Sequence, residues 1–142
     1  MTIAAILSGK GHDIVTVTAG DSVRDAVALL ADRRIGAVPV LDGGEVAGVF
    51  SERDVIYCLK EGDTSVLDRP VREVMTAPAV TVSPQDAVMG ALSLMTRRRI
   101  RHLPVIEQGR MVGIVSIGDL VKYRIDRVEA DAAAMRDYIQ QA

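Results

Sequence analysis

Residues 15–59 read VTVTAGDSVRDAVALLADRRIGAVPVLDGGEVAGVFSERDVIYCL, and residues 80–124 read VTVSPQDAVMGALSLMTRRRIRHLPVIEQGRMVGIVSIGDLVKYR. The second stretch repeats the first at an offset of 65 residues without a gap, with sixteen identical positions, among them Val15/Val80, Asp21/Asp86, Pro39/Pro104, Ser51/Ser116 and Asp54/Asp119. Nine of the other 29 pairs exchange one aliphatic side chain for another, such as Val38/Leu103 and Val49/Ile114. A duplication of this length predicts two like units that pack about a pseudo-two-fold axis, with a cleft between them walled by both.

Each copy has the pattern strand, helix, strand, strand, helix. In the first, Ile14–Val17 is a β-rich run, and Asp21 is placed to cap a helix carrying Val23, Ala26, Val27 and Leu30 at helical spacing. Ala37–Leu41 is an apolar strand holding Pro39 where no ladder donor is required. Gly43-Gly44 turns a hairpin into the strand Val46–Phe50, and Ser51 opens the helix Glu52–Leu59. In the second copy, Ser83-Pro84 has the form of an N-cap followed by proline at the first helical position. Gln108-Gly109 turns the second hairpin and Ser116 opens the last helix.

Thr2–Leu7 and Arg69–Met75 each predict a short helical turn. The chain after residue 126 departs from the repeat. Val121, Ile125, Val128, Ala132, Met135 and Ile139 step by four and three along a helix from about Ile117 to Ile139. That seam suits either its own domain or a second copy of the chain. The expected organisation is therefore an α/β (α+β) fold of two pseudo-symmetric β-α-β-β-α repeats, residues 1–70 and 71–126, with a helical extension over 127–142.

Composition narrows the function. The chain has 142 residues, 49% of them hydrophobic but only 3% aromatic, so its core must be aliphatic. A net charge of −2 argues against a general nucleic-acid binder. Cys58 is the single cysteine, so no internal disulfide forms, and its place on an apolar helix face reads as packing. With neither a leader pattern nor a long apolar run, a soluble cytoplasmic protein is expected, with no membrane partner. His12 and His102 lack a nearby nucleophile or metal-ligand spacing, so neither catalysis nor a metal site is expected.

Two local patterns carry chemistry. Gly48-Val49-Phe50-Ser51-Glu52-Arg53-Asp54 and Gly113-Ile114-Val115-Ser116-Ile117-Gly118-Asp119 both run from a strand through a serine into a helix, with aspartate one turn in. A capping box explains the pair structurally. The same arrangement also suits a nucleotide. A helix N-terminus and a hydroxyl can meet phosphate, a carboxylate can accept from ribose hydroxyls, and the glycine leaves room for close backbone approach. The run Arg97-Arg98-Arg99 is explained by helix C-terminal charge. Arg101 and His102 are not, since they enter a strand where the first copy has Gly36 and Ala37. Lys10 is a further candidate phosphate contact. The two copies also differ in charge, four cations against seven anions in 15–59 and seven against three in 80–124. Two clefts of unequal phosphate affinity follow.

The Val-x-Thr-Val openings, the Pro-Val strands within Ile35–Leu41 and Ile100–Ile106, the Gly-x-x-Ser-x-x-Asp endings and the lead-in Val71-x-x-Val74-Met75-Thr76 together resemble the CBS domain, in two tandem copies (a Bateman module). The resemblance implies adenosyl ligands, with AMP first and ATP, ADP, NAD(H) or S-adenosylmethionine as alternatives. It also implies a sensor that regulates a separate protein, and pairing into a homodimer. Carried onto this chain, it gives a tighter cleft of Val80, Thr81, Ile100, Arg101, His102, Ser116, Gly118 and Asp119. A second cleft would hold Val15, Thr16, Ile35, Gly36, Ala37, Ser51, Arg53 and Asp54. The alternative is a structural adaptor with vestigial clefts.

Overall fold

The computed structural model describes residues 1–11 and 13–141, so the candidate His12 lies outside the described residues. The elements are α1 (Ile3–Lys10), β1 (Val17–Thr18), α2 (Val23–Arg33), β2 (Ala37–Asp42), β3 (Glu45–Ser51), α3 (Glu52–Lys60), α4 (Val88–Arg98), β4 (His102–Glu107), β5 (Arg110–Ser116) and α5 (Ile117–Gln141). Short 3-10 turns occupy Val66–Asp68 and Val71–Glu73. The α/β architecture of two like units followed by a long C-terminal helix is as the repeat requires.

The hairpins superimpose in register as well as in sequence. β2 pairs antiparallel with β3, with Ala37 opposite Ser51, and β4 pairs with β5, with His102 opposite Ser116. Gly43-Gly44 and Gln108-Gly109 all have positive φ, the geometry of a two-residue turn matched to strand twist. The opening strands are shorter than the sequence suggests. β1 pairs in parallel with β2 over two residues, and its counterpart shrinks to one bridge between Val82 and Val105. There the proline of the strand offers only a carbonyl, which accepts from the Val82 N–H at 3.0 Å.

Two capping assignments need correction. Ser22, not Asp21, caps α2, its side chain accepting from the Asp25 N–H, while the Asp21 carboxylate accepts from the Thr18 N–H. Ser83-Pro84 makes a turn ahead of the helix, and α4 begins only at Val88. In both places an acidic side chain closes the turn onto a backbone N–H three residues back, which competes with helix initiation.

Each unit has an aliphatic core, and each is completed by a segment outside its own strand-helix-strand-strand-helix repeat. Val17, Val23, Leu30, Val38, Val40 and Phe50 pack with Val66, Val71 and Val74, from the chain that follows α3. Val82, Val88, Met95, Leu103, Val105 and Leu120 pack with Ile3, Ile6 and Leu7 of α1. The conserved spacing of Gly48 and Gly113 serves these crossings. A Cβ at Gly48 would lie 2.5 Å from the Thr76 carbonyl oxygen, and one at Gly113 would lie 2.7 Å from Leu7 Cδ2. Each glycine thus makes room for the chain's own crossing segment, a correction to the expectation that it makes room for a ligand.

The seam of α5 is uncovered by its own chain. Leu120 is buried, whereas Val121, Ile125, Val128, Met135 and Ile139 are exposed. Cys58 is half-buried against the first core, as its position implied.

Candidate functional site

The serine-to-aspartate motifs form the capping boxes the spacing demands. In the first, the Ser51 N–H donates to Asp54 Oδ2 at 2.8 Å. In the second, the Ser116 N–H donates to Asp119 Oδ2 at 2.9 Å and the Asp119 N–H donates to Ser116 Oγ at 3.1 Å. These bonds hold both carboxylates rigidly beside a helix N-terminus.

The two carboxylates differ in what else they hold. Asp54 Oδ1 accepts from the neutral Thr76 hydroxyl at 2.9 Å. Asp119 Oδ2 accepts from Lys10 Nζ at 2.6 Å, and the same ammonium donates to the Ile114 carbonyl at 2.8 Å. Burial alone would raise the Asp119 pKa, but the Lys10 ammonium and the Ser116 N–H outweigh it and hold the carboxyl below its ordinary range.

A cleft of about 260 Å³ opens beside Asp54. One wall is β3 and the start of α3, with Val49, Ser51, Glu52, Arg53, Asp54 and Tyr57, together with Gly36 and Ala37. The other is Thr76, Pro78, Ala79 and Val80 of the connecting chain with Arg98, Arg99, Ile100, Arg101 and His102. The cleft therefore joins an acidic side chain from one repeat to a basic corner from the other.

This regroups the sequence candidates. Ser51, Arg53, Asp54, Gly36 and Ala37 meet Val80, Ile100, Arg101 and His102 in one cavity, although the repeat assigned them to separate clefts. Ser116 and Ile35 face a larger, more open groove of about 630 Å³ lined by Val27, Leu30, Val55, Ile56 and Ile117, which Gly36, Arg101 and His102 also edge. Val15, Thr16, Thr81, Gly118 and Asp119 line neither hollow. The larger groove is mostly apolar and lacks an aspartate, so the smaller cleft is where the polar chemistry converges.

Interactions across the cleft mouth tie the repeats together. Arg101 pairs with Glu52 at 3.1 Å, and the Arg53 guanidinium donates to the Arg99 carbonyl at 2.9 Å. The Arg101–Glu52 pair is over half exposed on both sides, so it contributes little stability and leaves the guanidinium free to exchange partners. His102 is half-buried, and burial together with the neighbouring Arg101 and Lys10 charges pushes its pKa below 6.5. Near pH 7 its neutral form is therefore favoured.

Thr76, Pro78 and Ala79 were not among the sequence candidates. They lie between the repeats, outside the 65-residue register, while Val49, Glu52, Tyr57, Arg98 and Arg99 lie inside it and line the cleft without being among the candidate ligand residues. The available signal was Thr76 at the end of the lead-in motif, two residues before a proline.

A family model for the CBS domain matches residues 11–61 and again 71–126. The chain belongs to the CBS-domain family. Among similar CBS-domain proteins is the mitochondrial CBSX3 of Arabidopsis thaliana, 34% identical over 148 residues, spanning 98% of this chain and 72% of that protein. The solved structure of a protein with CBS domains from Burkholderia ambifaria has a TM-score of 0.83 at 41% identity, covering 89% of this chain and 95% of the other. The CBS domain pair of protein MJ0100, solved with 5′-methylthioadenosine and S-adenosyl-L-methionine, shares the fold at a TM-score of 0.77 and 22% identity. As a tandem CBS pair, the chain has the two-repeat form of these proteins. No helix among its described residues is long and apolar enough to cross a membrane.

Proposed function

We propose that this CBS pair is a regulatory module that binds an adenine nucleotide in the Asp54 cleft and signals to a separate protein. The observation that carries the reading is the convergence of Asp54, Arg99, Arg101 and His102 on one cavity. Asp54 is placed to accept from vicinal ribose hydroxyls. The apolar Val49, Ile100 and Val80 suit a purine face. Arg101, leaving Glu52, offers a permanently charged fork to phosphate. A volume of about 260 Å³ stands just below the roughly 300–1,000 Å³ usual for small-ligand pockets. That size favours AMP over NAD(H), with ATP or ADP requiring the outer arginines Arg98 and Arg99. The adenosyl ligands of the MJ0100 pair support the same ligand class.

The exposed apolar stripes of α3 (Ile56, Leu59) and α5 (Val121, Ile125, Val128) make a homodimer part of this reading. On this reading the module is cytoplasmic and non-catalytic. The same exposed stripes favour a second reading, a structural adaptor.

A thermal-shift panel of AMP, ATP, NADH and S-adenosylmethionine separates the two. AMP at about a hundredfold excess over its dissociation constant should add about 2.7 kcal/mol of stability to the wild type, and Asp54→Asn should remove most of that gain. No shift with any of the four nucleotides leaves the adaptor.

A further inference from the structure

The segments that lead into the two repeats correspond at an offset of 68 residues rather than 65: the Ile3 N–H donates to the Asp86 carbonyl as the Val71 N–H does to that of Asp21, and Leu7 lies against Gly113 as Met75 lies against Gly48. On that register Ser8 falls opposite Thr76, and Lys10 comes two residues later. At the first carboxylate, Met75 packs near Gly48 and the neutral Thr76 hydroxyl reaches Asp54. At the second, an ammonium takes that place. Lys10 Nζ lies 2.6 Å from Asp119 Oδ2 and 2.8 Å from the carbonyl of Ile114, the counterpart of Val49. Both side chains are about two-thirds covered, with 34% and 27% of their surface exposed. Lys10 is the last residue of α1, whose Ile3, Ile6 and Leu7 are anchored in the second core, so the ammonium is delivered from a fixed helix.

We propose that Lys10 is a built-in counter-ion that occupies the second ribose carboxylate and restricts tight nucleotide binding to the Asp54 cleft, giving one ligand per chain. This rests on the proposed function and deepens it. A ribose hydroxyl competing at Asp54 displaces only another hydroxyl. At Asp119 it must displace a charge-assisted bond, a loss of roughly tenfold or more in affinity. The two aspartates are thereby unequal in the sense opposite to the charge balance of the repeats. The cation-rich copy supplies its arginines to the cleft of the first copy's aspartate, while its own aspartate is neutralised from the N-terminus.

The experiment is calorimetric titration of AMP into wild type, Lys10→Met and Lys10→Arg, with a parallel carbon-13 NMR titration of the Asp119 carboxyl. Wild type and Lys10→Arg should take up one tight equivalent. Lys10→Met should gain a second equivalent bound at least about tenfold more tightly than any second site in the wild type. Its Asp119 should titrate at higher pH than in the wild type. Two tight equivalents in the wild type, or no gain in Lys10→Met, overturn the proposal. Weaker AMP binding in Lys10→Met also overturns it, since Lys10 would then hold ligand instead of excluding it. A wild type that binds no AMP overturns the nucleotide reading and the one-ligand limit with it, while an Asp119 titration unchanged by Lys10→Met overturns the contact itself.

Discussion

Gly48 and Gly113 occupy equivalent places, yet what surrounds them differs in softness. A methyl at Gly48 meets a backbone oxygen and the Met75 sulfur at 2.9 Å, whereas one at Gly113 meets the movable tip of Leu7. Gly48→Ala should cost about 1–3 kcal/mol in urea unfolding, and Gly113→Ala measurably less, because a leucine rotamer can shift where a carbonyl cannot. Equal losses would show that the first crossing yields as readily as the second. His102 makes a pH-dependent contribution. Its folded pKa is below 6.5, so the unfolded chain binds more protons in that window and stability rises with pH. The contribution is complete above about pH 6.5 and is lost as pH falls through the lower, folded value. Urea midpoints measured from pH 5 to 8 should therefore decline less on acidification in His102→Asn than in the wild type. Bound phosphate would favour the charged imidazole, so AMP affinity in the wild type should increase as pH is lowered from 7.

At the scale of elements, helical periodicity and turn chemistry were legible. The hairpins follow from Gly43-Gly44 and Gln108-Gly109, and the starts of α3 and α5 follow from the serine and aspartate spacing, because each depends on contacts within a few residues. The starts of α2 and α4 were misplaced because Asp21 and Asp86 close local turns that imitate a cap. The role of α1 was not legible at all. Its hydrophobic residues mark a buried face but carry no address, and the face packs on the repeat that is distant in sequence. Ile3 is wholly buried in that second core. Ile3→Ala should destabilise the protein by about 2–5 kcal/mol, read by chemical denaturation, and the loss should be felt in the second unit although the mutation precedes the first. A loss below 1 kcal/mol would mean that α1 lies loosely on the surface.

For the whole molecule, the uncovered seam of α5 bears on assembly. A homodimer through these helices should show twice the chain mass in light scattering, and Ile125→Glu should shift it toward the monomer, since a charge would then have to be buried unpaired. An unchanged mass in Ile125→Glu would remove α5 from the interface. The duplication, the hairpins, the capping boxes and the presence of two aspartates and one basic corner are written in residue order, because local spacing and self-similarity need no third dimension. Which aspartate faces the arginines is not written there. The pairing crosses between repeats, and the lysine that neutralises the other carboxylate comes from 109 residues away. Such neighbours are chosen by how segments outside the repeats complete the two aliphatic cores, a packing outcome that a one-dimensional register cannot express.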